Sequence, residues 1–504
     1  MFCRRNLEKR PAEWRHVEEI AMGTVGRLGA KRTEFSETSS LNNALVQKQR
    51  KDDFSSIGAR RGMRTYTFGD LFSGCGGFSL GLSQAGLQGV FAIERDPMAF
   101  DTFSANFLSK AAKGRRFSWP DWLSRQAWDI EQLLDKHRSD LAKLGGKIDV
   151  LAGGPPCQGF SFAGRRVEDD PRNLLFERYV EVVEALQPQA LILENVPGMK
   201  VAHARRNVVD LPIPGSLAEK PKSFYDRLVE RLRVAEYEVA AVLVDSSRFG
   251  VPQRRSRLIA VGVRRDLCEW LDGGLGRIFE LLEEARVRQL KELGLPSAVS
   301  ASDALSDLEV GGKGLVDCHD PALSRPAKEV PYDGPATRYQ WLMHEGHEGP
   351  MDSMRLARHR DDVRERFARI LAECRRGVRM DDESRKTYGL KKHRIYPMAS
   401  GEPAPTVTTL PDDILHYSEP RILTVREYAR LQSFPDWFAF KGKYTTGGER
   451  RTKECPRYTQ VGNAVPPYLA RAIGAAVRDL LEEVAVTKSV FGKSVEAMPI
   501  AATA

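Results

Sequence analysis

Between Arg64 and Val263 the chain alternates short apolar runs with stretches of helical period, and that rhythm leaves few folds open. "RTYTFGDLF" reads as a strand, and "GFSLGLSQAG" as a helix stopped at Gly86. "GVFAIE" is a strand, and "PMAFDTFSANF" a helix with Pro97 near its start. "KIDVLAGG", "QALILENV", "YEVAAVLVDS" and "RLIAVGV" are further strands, with "NLLFERYVEVVEAL" and "SFYDRLVERLRVA" as helices between them. Strands apolar on both faces, separated by helices, require a parallel sheet covered on both sides. The expected class is α/β, a Rossmann-like doubly wound sheet.

The rhythm stops near Arg264. One long helical stretch follows, "GRIFELLEEARVRQLKEL", and later a basic one, "SMRLARHRDDVRERFARILAECRRG". Helical patterning returns at Arg421 and ends in "PPYLARAIGAAVRDLLEEVA". The expected organisation is an extension over 1–63, a first domain over 64–263, a smaller domain over 264–420, a return to the first over 421–484, and a tail over 485–504. No repeat is visible.

Composition bounds the chemistry. No run of about 18 apolar residues exists, so no helical membrane span is expected. Seven cysteines stand singly with no CxxC pair, which argues against a zinc site or a disulfide framework and fits a reducing cytoplasm. The net charge of +9 favours a polyanionic partner only weakly. Residues 1–65 hold 14 Lys/Arg against 8 Asp/Glu. That segment reads as a tail, as a basic arm for DNA phosphates, or as an extension ahead of a true start at Met63.

"DLFSGCGGFSLG" follows a strand and opens a helix, the setting a nucleotide-type loop needs. Gly74, Gly76 and Gly77 would let a ligand approach the backbone; a tight packing turn is the plain alternative. Glu94 ends the next strand, about 20 residues on, where an acid can bind ribose hydroxyls. The spacing does not demand a pyrophosphate, so S-adenosylmethionine fits as well. In "GGPPCQGFSFAG", Pro155 and Pro156 stiffen the chain ahead of one thiol, Cys157, at another strand's carboxyl end. Glu194 ends the following strand, either as a site acid or as a turn or cap residue. Arg254, Arg255 and Arg257 open the last strand and would lower a nearby thiol's pKa.

Six blocks, "DLFSGCGG", "GGPPCQGFSFAG", "ENVPG", "GVPQRRSR", "TVREYARLQSFPD" and "QVGNAVPP", together resemble the DNA (cytosine-5)-methyltransferase family of bacterial restriction-modification systems, in that family's usual order. The resemblance covers residues 66–263 and 421–475; the span between is the family's variable, target-reading region. It implies methyl transfer from S-adenosylmethionine to C5 of a flipped cytosine, with no metal. By resemblance Cys157 is the nucleophile adding at C6, Glu194 donates to N3, Arg257 contacts the O2 side, and Arg255 supports the cysteine loop or a phosphate. Cofactor contacts carried over are Phe72, Ser73, Gly74, Gly76, Gly77, Glu94, Arg95, Asp129, Ile130, Pro155, Leu175, Asn463 and Val465. Trp128 stands where the family more often has glycine. Cys75 reads as a small filler. Ser161, in a loop expected to close over the base, and Thr406, Thr408 and Thr409 of "PTVTTL" are the DNA-contact candidates.

The resemblance further implies double-stranded DNA as partner, a monomer, a bacterial cytoplasmic setting at the nucleoid, and a cognate restriction or defence system. Three rivals remain. A tRNA cytosine-5 methyltransferase usually has a shorter variable region than the roughly 157 residues of 264–420. An inactive DNA-binding relative would not need Cys157, Glu194 and Arg257 together. A nicotinamide-dependent dehydrogenase leaves the Pro-Cys and Glu-Asn-Val blocks unexplained.

Overall fold

Six strands form the central sheet: β1 (Thr67–Leu71), β2 (Gln88–Ile93), β3 (Val150–Gly153), β4 (Ala190–Asn195), β5 (Tyr237–Asp245) and β6 (Ser256–Arg264), in the order β2-β1-β3-β4-β6-β5. The computed structural model describes residues 64–110, 117–155, 175–200, 223–323, 325–390, 394–446, 450 and 453–496. The account below concerns the unit Thr65–Ala504 within those bounds.

Strands β1 to β4 are parallel, as the apolar runs predict. Strand β6 corrects the all-parallel expectation: it runs antiparallel to both β4 and β5. The reversal matters for function. Leu258 pairs with Asn195 and Ile259 with Glu194, so the start of β6 lies beside the end of β4. A parallel β6 would have carried its leading arginines to the opposite edge of the sheet. Helices α1 (Gly77–Gln84), α2 (Pro97–Phe107), α3 (Ile130–Ala142), α4 (Leu175–Leu186) and α5 (Phe224–Val234) connect the strands. The chain steps outward from β1 to β2 and then returns to place β3 on the other side of β1. The crevice over the carboxyl ends of β1 and β3 is therefore the switch point where open α/β sheets take ligands.

The packing divides the span 264–420 in two. Helix α6 (Arg277–Leu293) and the chain through Met354 supply Leu281, Leu290, Ala301, Met343 and Met354 to the main core. A second, small core gathers Phe367, Ile370 and Leu371 of α7 (Asp361–Glu373) with Met380, Tyr388, Ile395, Leu415 and Ile422.

Helix α8 (Val425–Leu431) is buried along its whole length, its charged residues included. After α9 (Arg457–Asn463), helix α10 runs Pro467–Glu496, past Val484. It crosses α1 at glycine. A Cβ on Gly81 would stand 2.4 Å from both the Pro467 carbonyl and the Ala470 Cβ. Alanine there gains about 1 kcal/mol of helix propensity. The backbone clash outweighs that gain, so Gly81→Ala is expected to lose roughly 1–3 kcal/mol in a urea melt. Equal or higher stability would show that the crossing yields freely.

Candidate active site

The turn after β1 is built on left-handed backbone. Phe72 has φ 60°, Gly74 φ 56° and Gly76 φ 98°. Of the two left-handed glycines, Gly76 is crowded, since a Cβ would stand 2.5 Å from the Phe107 ring; at Gly74 a Cβ would meet nothing within 4 Å. Gly74 thus borders open space, as a loop that cradles a ligand must. The Ser73 hydroxyl is buried with no hydrogen-bond partner. Phe72 packs against the main core.

Glu94 closes this loop from β2. Its Oε2 accepts the Gly74 N–H at 3.0 Å and its Oε1 the Asp96 N–H at 2.7 Å. Burial pushes its carboxyl above the usual range despite those bonds. The Trp128 N–H donates to the Glu94 carbonyl at 2.8 Å, which brings Asp129 alongside. Asp129 caps α3 by accepting the Glu131 N–H at 2.9 Å, and Ile130 is buried behind it. Arg95 is exposed, and Leu175 half-buried against the core. An orphaned hydroxyl, an open glycine and an acidic strand end suit a nucleoside-bearing cofactor.

The expected return of the C-terminal segment is visible at Gly77, where a Cβ would stand 2.4 Å from the Val465 carbonyl and 3.3 Å from the Ala464 Cβ. Asn463 beside them is exposed. Asp96 was missed from sequence. Its Oδ1 caps α2 through Met98 N–H and Ala99 N–H, and its Oδ2 accepts the Cys455 N–H at 3.0 Å. The "DP" pair at a helix start was the available signal. Cys75 fits the filler reading. It is 1% exposed, and burial pushes its thiol up to about 12, far from a thiolate.

Asp70, beneath the glycine loop, accepts the Ser79 hydroxyl at 2.6 Å, and burial raises its carboxyl to about 7. The folded state therefore holds a proton that the unfolded state releases from about pH 4 upward, so stability falls as pH rises from about 4 to about 7. Asp70→Asn is expected to flatten that part of the thermal stability profile. An unchanged slope would contradict the assignment.

On the same rim, β3 and β4 lie side by side. A Cβ on Gly154 would stand 3.5 Å from the Glu194 carbonyl and 3.7 Å from its Oε2. The Asn195 amide donates to the Pro155 carbonyl at 3.1 Å, tying the start of the cysteine loop to β4. Cys157 and Ser161 lie outside the described residues. Arg257 Nε stands 2.6 Å from Glu194 Oε1, with both side chains 12% exposed. The contact is Coulombic rather than an aligned hydrogen bond, because Oε1 has no hydrogen-bond partner.

Arg255, expected to support the cysteine loop or a phosphate, makes its side-chain hydrogen bonds within the protein. It is 2% exposed and donates to the carbonyls of Val407 at 3.2 Å, Gly462 at 3.0 Å and Ala464 at 3.2 Å. Burial, then the charge of Arg257, lowers its pKa well below the usual arginine range. It braces the rim from inside. Of the threonines, Thr406 donates to the Arg254 carbonyl at 2.6 Å and Thr408 to Asp413 at 2.7 Å. Thr409 is half-buried in the same strap. Gln253, also missed, is fully buried and accepts the Val407 N–H at 3.0 Å.

A glycine loop closed by a strand-end acid, with an acid–arginine pair on the same rim of an open α/β sheet, is the arrangement of a nucleoside-cofactor enzyme. The model of the C-5 cytosine-specific DNA methylase family matches residues 66–479, and the chain belongs to that family. It is an enzyme of the DNA (cytosine-5)-methyltransferase class. Among curated relatives, the Type II methyltransferase M.DdeI of Desulfomicrobium norvegicum is 30% identical over 438 residues, spanning 82% of this chain and 89% of its own. M1.HphI of Haemophilus parahaemolyticus is 32% identical over 421 residues, spanning 82% and 86%. A crystal structure described as a DNA modification methyltransferase encoded within an E. coli prophage superposes with a TM-score of 0.55. It is 25% identical and covers 83% of this chain and 99% of that one. No helix among the described residues is long and apolar enough to cross a membrane, and no group of three or more His, Cys, Asp or Glu among them is placed to hold a metal.

Proposed function

We propose that this protein methylates C5 of a cytosine flipped out of a specific duplex DNA sequence, through a covalent bond between Cys157 and C6 of the base. The observation that carries the reading is the Glu194–Arg257 pair at 2.6 Å on the rim where the cysteine loop begins. S-adenosylmethionine would supply an electrophilic methyl group. Glu94 would hold its ribose and Asp129 its adenine, with Ser73, Gly74, Gly76 and Gly77 along the methionine part. Phe72, Arg95, Ile130, Pro155, Leu175, Asn463 and Val465 would complete the pocket.

Carbon 5 of cytosine is a weak nucleophile. Addition of the Cys157 thiolate at C6 moves an electron pair toward N3, and a proton held by Glu194 at N3 stabilises it. Arg257, near the O2 side, keeps Glu194 oriented and offsets negative charge. C5 would then take the methyl carbon, whose bond to the cofactor's sulfonium sulfur breaks as S-adenosylhomocysteine leaves. Loss of the C5 proton to a base restores the double bond and expels the thiolate, so the enzyme ends unchanged. Arg255 acts as a positioning residue. Thr406, Thr408 and Thr409 stand beside the recognition surface, and Ser161 would face the gap left by the flipped base.

The Type II relatives support a restriction-modification role; a related phage-defence role, action on nucleoid DNA in a bacterial cytoplasm and a monomeric state complete the proposal. The test is transfer of labelled methyl to duplex DNA and to tRNA by wild type and Cys157→Ala. Cysteine-dependent labelling of DNA is expected. Labelling of tRNA alone would establish the RNA-modifying rival, and no labelling of either would establish the inactive relative.

A further inference from the structure

The variable span carries two blocks of opposite charge, and their border coincides with the border between the two hydrophobic cores. Residues 264–354 hold 10 Lys/Arg and 17 Asp/Glu, a net −7. Residues 355–394 hold 14 Lys/Arg and 7 Asp/Glu, a net +7. The acidic block is packed into the main core, and three of its acids neutralise arginines of the C-terminal segment. Asp307 pairs with Arg430, Asp352 with Arg426, and Asp320 with Arg457. Residues 355–390 of the basic block supply Phe367, Ile370, Leu371, Met380 and Tyr388 to the second core instead.

Part of the basic block is neutralised within itself: Arg360 pairs with Asp362, Arg364 with Asp361, Arg369 with Glu373, and Arg385 with Asp382. Arg358, Arg375 and Arg379 are exposed and have no carboxylate partner among the described residues. This surface adjoins the active-site rim. The Gly377 carbonyl, between Arg375 and Arg379, accepts from Arg254 Nη2 at 3.4 Å, and Arg254 stands three residues from Arg257. The Thr406 strap meets the same arginine. Duplex DNA carries about one negative charge per 1.7 Å of axis, so a −7 block is repelled from it and unpaired arginines are drawn to it.

We propose that, within the described part of the variable span, residues 355–390 form the DNA-backbone docking surface, with Arg358, Arg375 and Arg379 on phosphates. Residues 264–354 belong to the catalytic body and stay off the duplex. The proposal rests on DNA being the substrate.

The test is the salt dependence of binding of full-length protein to a short duplex of arbitrary sequence. Each phosphate contact contributes about 0.9 to the slope of log K against log salt. The triple variant Arg358→Ala, Arg375→Ala, Arg379→Ala is expected to lose roughly 2–3 from that slope, and roughly 100-fold or more in affinity at ~0.1 M salt. The control Lys291→Ala, Arg325→Ala removes two exposed cations of the acidic block and is expected to leave the slope unchanged. Unaltered melting and S-adenosylmethionine binding in the triple variant assign any loss to the surface. An unchanged slope in the triple variant, or an equal fall in the control, overturns the proposal. Methyl transfer by wild type is scored alongside. Absence of transfer to DNA contradicts the substrate reading, whereas transfer with an unaffected slope contradicts only the docking surface.

Discussion

Replacing Glu194 with glutamine is expected to lower methyl transfer to DNA by about 100- to 10,000-fold while leaving cofactor affinity and stability near wild type. The substitution keeps the shape of a side chain that is 12% exposed, and replaces an acid that can pass a proton to N3 by an amide that cannot. Cofactor affinity is spared because Glu194 lies at the end of β4, whereas the glycine loop follows β1 and Glu94 follows β2. Single-turnover rates at saturating DNA and cofactor provide the check. A rate within a few-fold of wild type would reduce Glu194 to a partner for Arg257.

The second large effect concerns folding. Arg430 is fully buried on α8 and donates to Asp307, to Asp436 and to the Ala304 carbonyl. Burial pushes the Asp436 carboxyl up, but the charge of Arg430 overcomes this and holds it below the usual range. Arg430→Ala would leave two buried carboxylates without their guanidinium, Asp307 keeping the Tyr332 hydroxyl and Asp436 the His344 ring. The expected loss is about 3–5 kcal/mol, read from the urea midpoint. The loss should appear in a single transition, because Asp307 lies in the span 264–354 and that span shares the main core. A separate early transition for that span would contradict the shared core.

Much of this was legible in the chain. Apolar runs separated by helical patterns gave β1 to β4 and their parallel pairing, and hence a rim shared by the glycine and cysteine loops. Glu194 beside Gly154 follows from that pairing alone. The reversed β6 was not legible, since "RLIAVGV" has the same hydrophobic character in either direction. Its reversal is nevertheless what brings Arg257 to Glu194. Nor does "QRRSR" reveal that Arg255 turns inward, because its acceptors are carbonyls at residues 407, 462 and 464. Nothing in "TVREYARLQSFPD" marks its charged residues as internal, yet Arg426, Glu427 and Arg430 are all fully buried. Glu427 pairs with nearby Arg421, but the acids Asp352 and Asp307 that meet Arg426 and Arg430 lie far away in sequence, where local patterning carries no information.

The most direct measurement uses duplex DNA carrying 5-fluorocytosine in place of cytosine. Fluorine at C5 does not leave as a proton does, so a base attacked at C6 and methylated at C5 stays bonded to the attacking sulfur. With S-adenosylmethionine present, intact-mass analysis should show wild-type protein joined to the DNA strand and Cys157→Ala unjoined. Wild type that methylates ordinary DNA but is never trapped, or a Cys157→Ala protein that is trapped as readily, would contradict the account.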